Sequence, residues 1–110
     1  MYSKELLKGT LKTIILSLLE ENGRMYGYEI TKKVKEQSAG EIQLTEGALY
    51  PTLHALEAAK LVTVEKESIG NRVRKYYRIT EMGTTKSKER VDEFYEFVST
   101  MKRILTPQTI

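Results

Sequence analysis

Apolar residues return every three or four positions at the start of the chain: Leu7, Leu11, Ile14, Ile15, Leu18 and Leu19. That spacing predicts a helix over roughly residues 4–21, opened by Ser3 and closed by Asn22-Gly23. Tyr26, Ile30 and Val34 form a second stripe and predict a helix over about 25–38, with Gly40 beyond its end. Leu49, Leu53 and Leu56 predict a third over about 46–60, capped by Thr45. The period then changes. "LVTVEKE" and "RVRKYYRIT" alternate on either side of Gly70-Asn71, which predicts a β-hairpin. Val73, Lys75, Tyr77 and Ile79 share one face of its second strand, and Arg72, Arg74, Tyr76 and Arg78 share the other. Thr80 can cap a last helix over about 81–104. On it Val91, Phe94, Val98, Met101 and Leu105 fall at alternating spacings of three and four, an a/d seam.

Three helices followed by a two-stranded hairpin is the order of a winged helix-turn-helix. The expected fold class is mostly α with a small β-hairpin (α+β). A DNA-binding module is expected over residues 1–80, and a C-terminal dimerisation helix with a short tail over 81–110. A core of three short helices cannot cover both the broad apolar face of the first helix and the seam of the last. The seam therefore points to a homodimer interface built from Leu7, Leu11, Val91, Phe94, Val98, Met101 and Leu105. The alternative is that the stripe packs on its own domain.

The third helix contains two residues that weaken helices. Gly47 lowers the stability of the first turn, and Pro51 removes a backbone donor. Both make sense at the start of a helix that enters the major groove. Gly47 lets backbone amides approach a phosphate, and the Pro51 ring can touch a base edge or a sugar. The competing reading is a tolerated kink. Tyr50 can donate its hydroxyl to a phosphate or be a core tyrosine with a polar tip. His54, at i+4 from Tyr50, shares its face. It can reach a base edge or phosphate, or simply meet solvent.

Charge adds weight to the hairpin. The chain of 110 residues has a formal net charge of +3. Between Glu65 and Arg78, Lys66, Arg72, Arg74, Lys75 and Arg78 outweigh Glu65 and Glu67 by the same +3. A local basic patch is the electrostatic footprint of a nucleic-acid binder. Segment 45–60, by contrast, is net −1, with Lys60 against Glu46 and Glu57. Electrostatic affinity should therefore come largely from the wing, Lys4, Lys12, Lys32 and Lys33, wherever these face DNA. The other open reading is a winged helix used for protein–protein contact without DNA.

Composition narrows the classes further. There is no cysteine and a single histidine, so disulfides, thiolate metal sites and multi-histidine sites are excluded. No phosphate-binding glycine loop, paired-carboxylate setting or nucleophilic triad is present, so neither an enzyme nor a cofactor is expected. The absence of a long apolar run makes the expected location cytoplasmic, with no membrane partner.

The pieces "LLKGTLKTIILSLL", "YGYEI", "LTEGALYPTLHALE" and "RVRKYYRIT", followed by "MG", occur in the order and at the spacing of one family. The chain resembles PadR family transcriptional regulators in their short form, with a single C-terminal dimerisation helix. The resemblance implies a homodimeric repressor on an inverted-repeat operator in double-stranded DNA. By that likeness Thr45, Gly47, Ala48, Tyr50, Pro51 and His54 lie at the DNA face of the third helix, and Arg72, Arg74, Lys75 and Tyr76 belong to the wing. Members of the family often respond to small aromatic or amphipathic molecules, and Phe94, Tyr95 and Phe97 are the candidate pocket for such an effector; the alternative is a fully packed interface with no effector. The chain departs from the family pattern at Ala48, where threonine is typical, near Ala55, where arginine is frequent, and at Lys60, where glycine is usual.

Overall fold

In the computed structural model, which describes residues 2–107, five helices surround a small antiparallel sheet in the order α1 (Lys4–Lys8), α2 (Leu11–Asn22), β1 (Met25–Tyr26), α3 (Gly27–Gln37), α4 (Glu46–Ala58), β2 (Val62–Ile69), β3 (Arg72–Ile79) and α5 (Glu81–Leu105). The tip of the expected C-terminal tail, 108–110, lies outside the described residues. The winged helix-turn-helix order is present, and so is the long C-terminal helix.

Two sequence expectations need correction. The first helix is two helices, because the chain breaks at Gly9-Thr10. There the Thr10 amide and hydroxyl both donate to the Leu7 carbonyl, each at 2.9 Å, in place of the regular i−4 bond. Ser3 does cap α1, accepting from the Leu6 amide at 3.3 Å. The second helix starts later than its apolar stripe suggests. Met25 and Tyr26 are a strand, paired with Tyr77 and Tyr76, so the hairpin is part of a three-stranded sheet in the order β1-β3-β2. Tyr26 is extended, and its amide donates to the Glu29 carboxylate at 3.1 Å, a capping bond that delays α3 until Gly27.

The hairpin register runs from Val62 opposite Ile79 to Ile69 opposite Arg72, leaving Gly70-Asn71 as a two-residue turn. Gly70 has φ +60° and Asn71 does not share that sign, the pattern of a type II′ turn.

The core is one cluster. Ile15, Leu16 and Leu19 of α2 meet Ile30 and Val34 of α3 and Leu49, Leu53 and Leu56 of α4, closed by Met25, Val62 and Tyr77 of the sheet. Burying each such leucine is worth roughly 1.5–3 kcal/mol. The exit of α4 is a Schellman motif: the Leu61 amide donates to the Leu56 carbonyl at 3.0 Å and the Lys60 amide to the Glu57 carbonyl at 2.9 Å. Lys60 occupies its left-handed position, with φ 63°. That conformation explains why glycine is usual here.

Helix α5 is locked to the body at its start. Thr80 Oγ1 accepts from the Gly83 amide at 3.0 Å and donates to the Lys60 carbonyl at 2.8 Å. A Cβ at Gly83 would overlap the Leu61 carbonyl oxygen and stand 2.7 Å from Ile79 Cγ1, so only glycine permits this approach. Ser87, one turn on, is fully buried, and Arg90 Nε donates to Thr13 Oγ1 of α2 at 3.2 Å.

Candidate nucleic-acid interface

The exposed N-terminal face of α4 has the geometry that its sequence demands. Thr45 Oγ1 accepts from the Ala48 amide at 3.2 Å and closes the first turn. Gly47 and Pro51 stand at i and i+4, so the proline removes the donor that the Gly47 carbonyl would otherwise receive. Thr52 Oγ1 donates to the neighbouring Ala48 carbonyl at 2.9 Å, and the helix runs on to Ala58. A Cβ on Gly47 would meet nothing nearer than Thr45 Oγ1 at 3.9 Å. No interior contact therefore calls for glycine at this position. Thr45, Gly47, Pro51 and His54 are exposed, Ala48 is half-buried, and Leu49, Leu53 and Leu56 face the core.

Tyr50 is packed on one side and open on the other. Its ring lies over Gly27 at the start of α3, where an added Cβ would overlap the hydroxyl and come within 2.9 Å of Cζ. The ring is nonetheless 37% exposed. Gly27 is thus the residue that lets α4 seat Tyr50 against α3. His54 follows one turn later, its ring centroid 6.5 Å from that of Tyr50. Between these residues and the wing opens a cleft of 440 Å³, lined by Tyr26, Gly27, Tyr50, Arg72, Arg74 and Lys75 among others. The structure so brings together Tyr50 and the three wing cations singled out in the sequence. Thr45, Gly47, Pro51 and His54 lie outside the cleft, on the helix beside it.

Both wing carboxylates are held by arginines, one from the hairpin itself and one from outside it. Arg78 Nε donates to Glu65 Oε2 at 2.7 Å. Arg24, from outside the hairpin, donates to Glu67 Oε1 at 2.6 Å and lies 3.9 Å from Glu65. Its guanidinium also stacks on Tyr76, 4.0 Å from the ring centroid. Arg74 stacks on Tyr26 at the same 4.0 Å and lies 3.5 Å from the Tyr76 hydroxyl. The Tyr26 and Tyr76 rings meet edge to face at 5.5 Å. Glu67 holds the Arg24 guanidinium above its ordinary pKa, and the Tyr76 hydroxyl does the same for Arg74. Among the described residues, Lys66, Arg72, Arg74 and Lys75 have no ion-pair partner. Arg24, Tyr26, Glu65 and Glu67 are absent from the sequence-derived site. Their only trace there is the alternation of Arg24 with Tyr26 and of Glu65 with Glu67, which set each pair on one strand face.

At the other end of the molecule, the residues expected at a dimer seam divide. Leu11 is buried within its own chain, and Leu7, Val91, Val98 and Met101 are half-buried. Phe94 and Leu105 are exposed, Leu105 to 74%. A groove of 530 Å³ runs between α1 and the far half of α5, lined by Leu6, Leu7, Phe94, Phe97, Met101 and Leu105 among others. Phe94 and Phe97 therefore share a groove, whereas Tyr95 does not line it and meets Phe94 only edge to face at 6.2 Å. No helix among the described residues is long and apolar enough to cross a membrane.

Comparison with known proteins supplies the context for this geometry. The profile of the transcriptional regulator PadR-like family matches residues 15–89. The transcriptional regulator Rv3488 of Mycobacterium tuberculosis is 30% identical over 80 residues, 73% of this chain and 71% of that protein. A transcriptional regulator from Clostridium thermocellum superposes with a TM-score of 0.87 at 29% identity, covering 94% of this chain and all of the other. Bacillus subtilis PadR in complex with operator DNA superposes with a TM-score of 0.65 at 25% identity over 91% of this chain, which spans about half (49%) of that one. With its winged helix, its exposed α4 face and a profile match across most of its length, the chain belongs to the PadR-like family of transcriptional regulators.

Proposed function

We propose that the protein is a homodimeric repressor that binds an inverted-repeat operator through α4 and the β2–β3 wing. On this reading residues 1–80 form the DNA-binding module, and the helix from 81 onward carries dimerisation. The carrying observation is the cleft that joins Tyr50 to Arg72, Arg74 and Lys75 beside an exposed helix face whose glycine has no interior use. In a helix-turn-helix, α4 enters the major groove and α3 crosses the backbone. Pro51, Ala48 and His54 then lie nearest the bases. Thr45, Gly47 and Tyr50 anchor the strand, and Arg72 and Lys75 reach its phosphates. Arg74 and Tyr76 form the wall behind them. The operator complex of Bacillus subtilis PadR supports the choice of partner.

The dimer rests on the α1–α5 groove. A two-fold axis lays the same apolar face of a second copy against it, and Phe94, Val98, Met101 and Leu105 supply the contact. An effector, on this reading, is a small flat aromatic compound held between Phe94 and Phe97. It acts only by preferring one dimer geometry over another.

Titration of fluorescent duplexes across a salt series tests the DNA reading. Arg72→Ala and Lys75→Ala should each lower the slope of log affinity against log salt by ~0.9 per lost phosphate contact. An unchanged slope in both variants would refute wing contact.

A further inference from the structure

The wing tip projects beyond the core. Tyr77 and Ile79, at the base of β3, pack against the helices, whereas Ile69 and Val73 near the turn are 44% and 63% exposed. Between base and tip one set of contacts crosses the sheet: Arg24 and Tyr26 from the β1 end, Tyr76 and Arg74 from β3, and Glu65 and Glu67 from β2. Register explains the meeting. Tyr26 stands opposite Tyr76, which stands opposite Glu65, while Arg74 stands opposite Glu67, so all lie on one face. Glu67 is otherwise anomalous. Acids on a wing that meets phosphates repel the ligand; Glu65 is held chiefly by Arg78 at 2.7 Å and lies 3.9 Å from Arg24, whereas Glu67 is bonded to Arg24 at 2.6 Å. Arg24 meets both carboxylates and a ring at once, as a planar guanidinium can and an ammonium cannot.

We propose that Arg24 is a positioning residue for DNA binding: clamped by Glu67 and stacked on Tyr76, it braces the wing so that Arg72 and Lys75 stand across the cleft from Tyr50. This rests on the DNA-binding reading above and adds to it a residue with no DNA contact of its own. Glu67 is its partner in the brace. The ring stack carries the brace from Arg24 through Tyr76 and Tyr26 to Arg74, nearest the tip.

The sign of a Glu67 substitution separates this from plain electrostatics. Removing an acid from a DNA-facing wing raises affinity if charge alone matters. The brace requires the opposite for specific binding. Glu67→Ala should weaken binding to a selected inverted repeat about tenfold, while leaving a random duplex as tightly bound or tighter. Arg24→Ala should cost a similar factor on the inverted repeat. The double variant should cost little more than either single one, because the pair acts as a unit. Arg24→Lys should fall between Arg24→Ala and the wild type. Amide hydrogen exchange at Ile69–Val73 in the free protein should accelerate in both alanine variants, while the core of α2 and α4 stays protected.

Tighter binding of Glu67→Ala to both duplexes would overturn the proposal. So would an Arg24→Ala effect of the same size with and without Glu67, since that marks direct contact with DNA. A wild-type chain that binds neither duplex would refute the DNA reading, and the exchange comparison would still decide whether Arg24 and Glu67 hold the wing. Unchanged exchange at the tip refutes the brace by itself.

Discussion

The two ends of this molecule are left open in opposite ways. At one end, α1 and the far half of α5 expose Leu6, Phe94, Phe97 and Leu105 around an apolar groove. At the other, α4 exposes Thr45, Gly47, Pro51 and His54 beside a cleft of mixed lining that carries Arg72, Arg74 and Lys75. An apolar groove is completed by another apolar surface, because burial removes it from water. Cations gathered at a cleft are matched by an anion. Helix α5 joins the ends. Its first turns are closed over by Gly83 and Ser87, and its last turns are not. The same helix is therefore finished where it meets its own chain and unfinished where it leaves it.

The largest expected effect comes from cutting that connection. Gly83→Ala forces a Cβ into the Leu61 carbonyl. It should lower stability by about 3 kcal/mol, at the upper end of ordinary overpacking, and weaken both dimerisation and DNA binding. Thermal unfolding read by circular dichroism checks the first part. An unchanged melting temperature would show that α5 is not locked at this point.

Phe94→Glu should separate the two ends. It places a charge in the groove without touching the core cluster, so the chain should stay folded and sediment as a monomer at micromolar concentration. Operator affinity should fall with the lost two-fold symmetry. A Phe94→Glu chain that remains dimeric would move the interface elsewhere.

The smallest effect should leave both ends intact. Lys60→Gly relieves the left-handed backbone at the Schellman position. It should stabilise the chain by about 1 kcal/mol, with DNA binding and dimerisation unchanged. Denaturant unfolding measures it, and a loss of stability would contradict the conformational explanation.

Much of this contrast is legible in the sequence, for identifiable reasons. Leu49, Leu53 and Leu56 declare both the buried face of α4 and, by exclusion, the exposed one. The Gly70-Asn71 turn between two alternating runs declares the wing. Strand β1 is not legible: two residues are too few to show a period, and Tyr26 continues the stripe of the helix that follows. The break at Gly9-Thr10 is hidden because Leu7 and Leu11 keep helical spacing across it. Charge counting finds the wing but leaves out Arg24, which occupies Glu67 from 43 positions away along the chain. Gly27 and Gly83 look like ordinary glycines until Tyr50 and the Leu61 carbonyl are seen against them.

The proposed function joins the two ends in a symmetric dimer that reads DNA with two copies of α4. Selection of bound duplexes from a random-sequence pool tests this directly and needs no operator to be chosen in advance. The enriched sequences should be inverted repeats, with half-site centres about one helical turn, or a multiple of it, apart. Enrichment of a single asymmetric site, or of no sequence at all, would contradict the symmetric dimer.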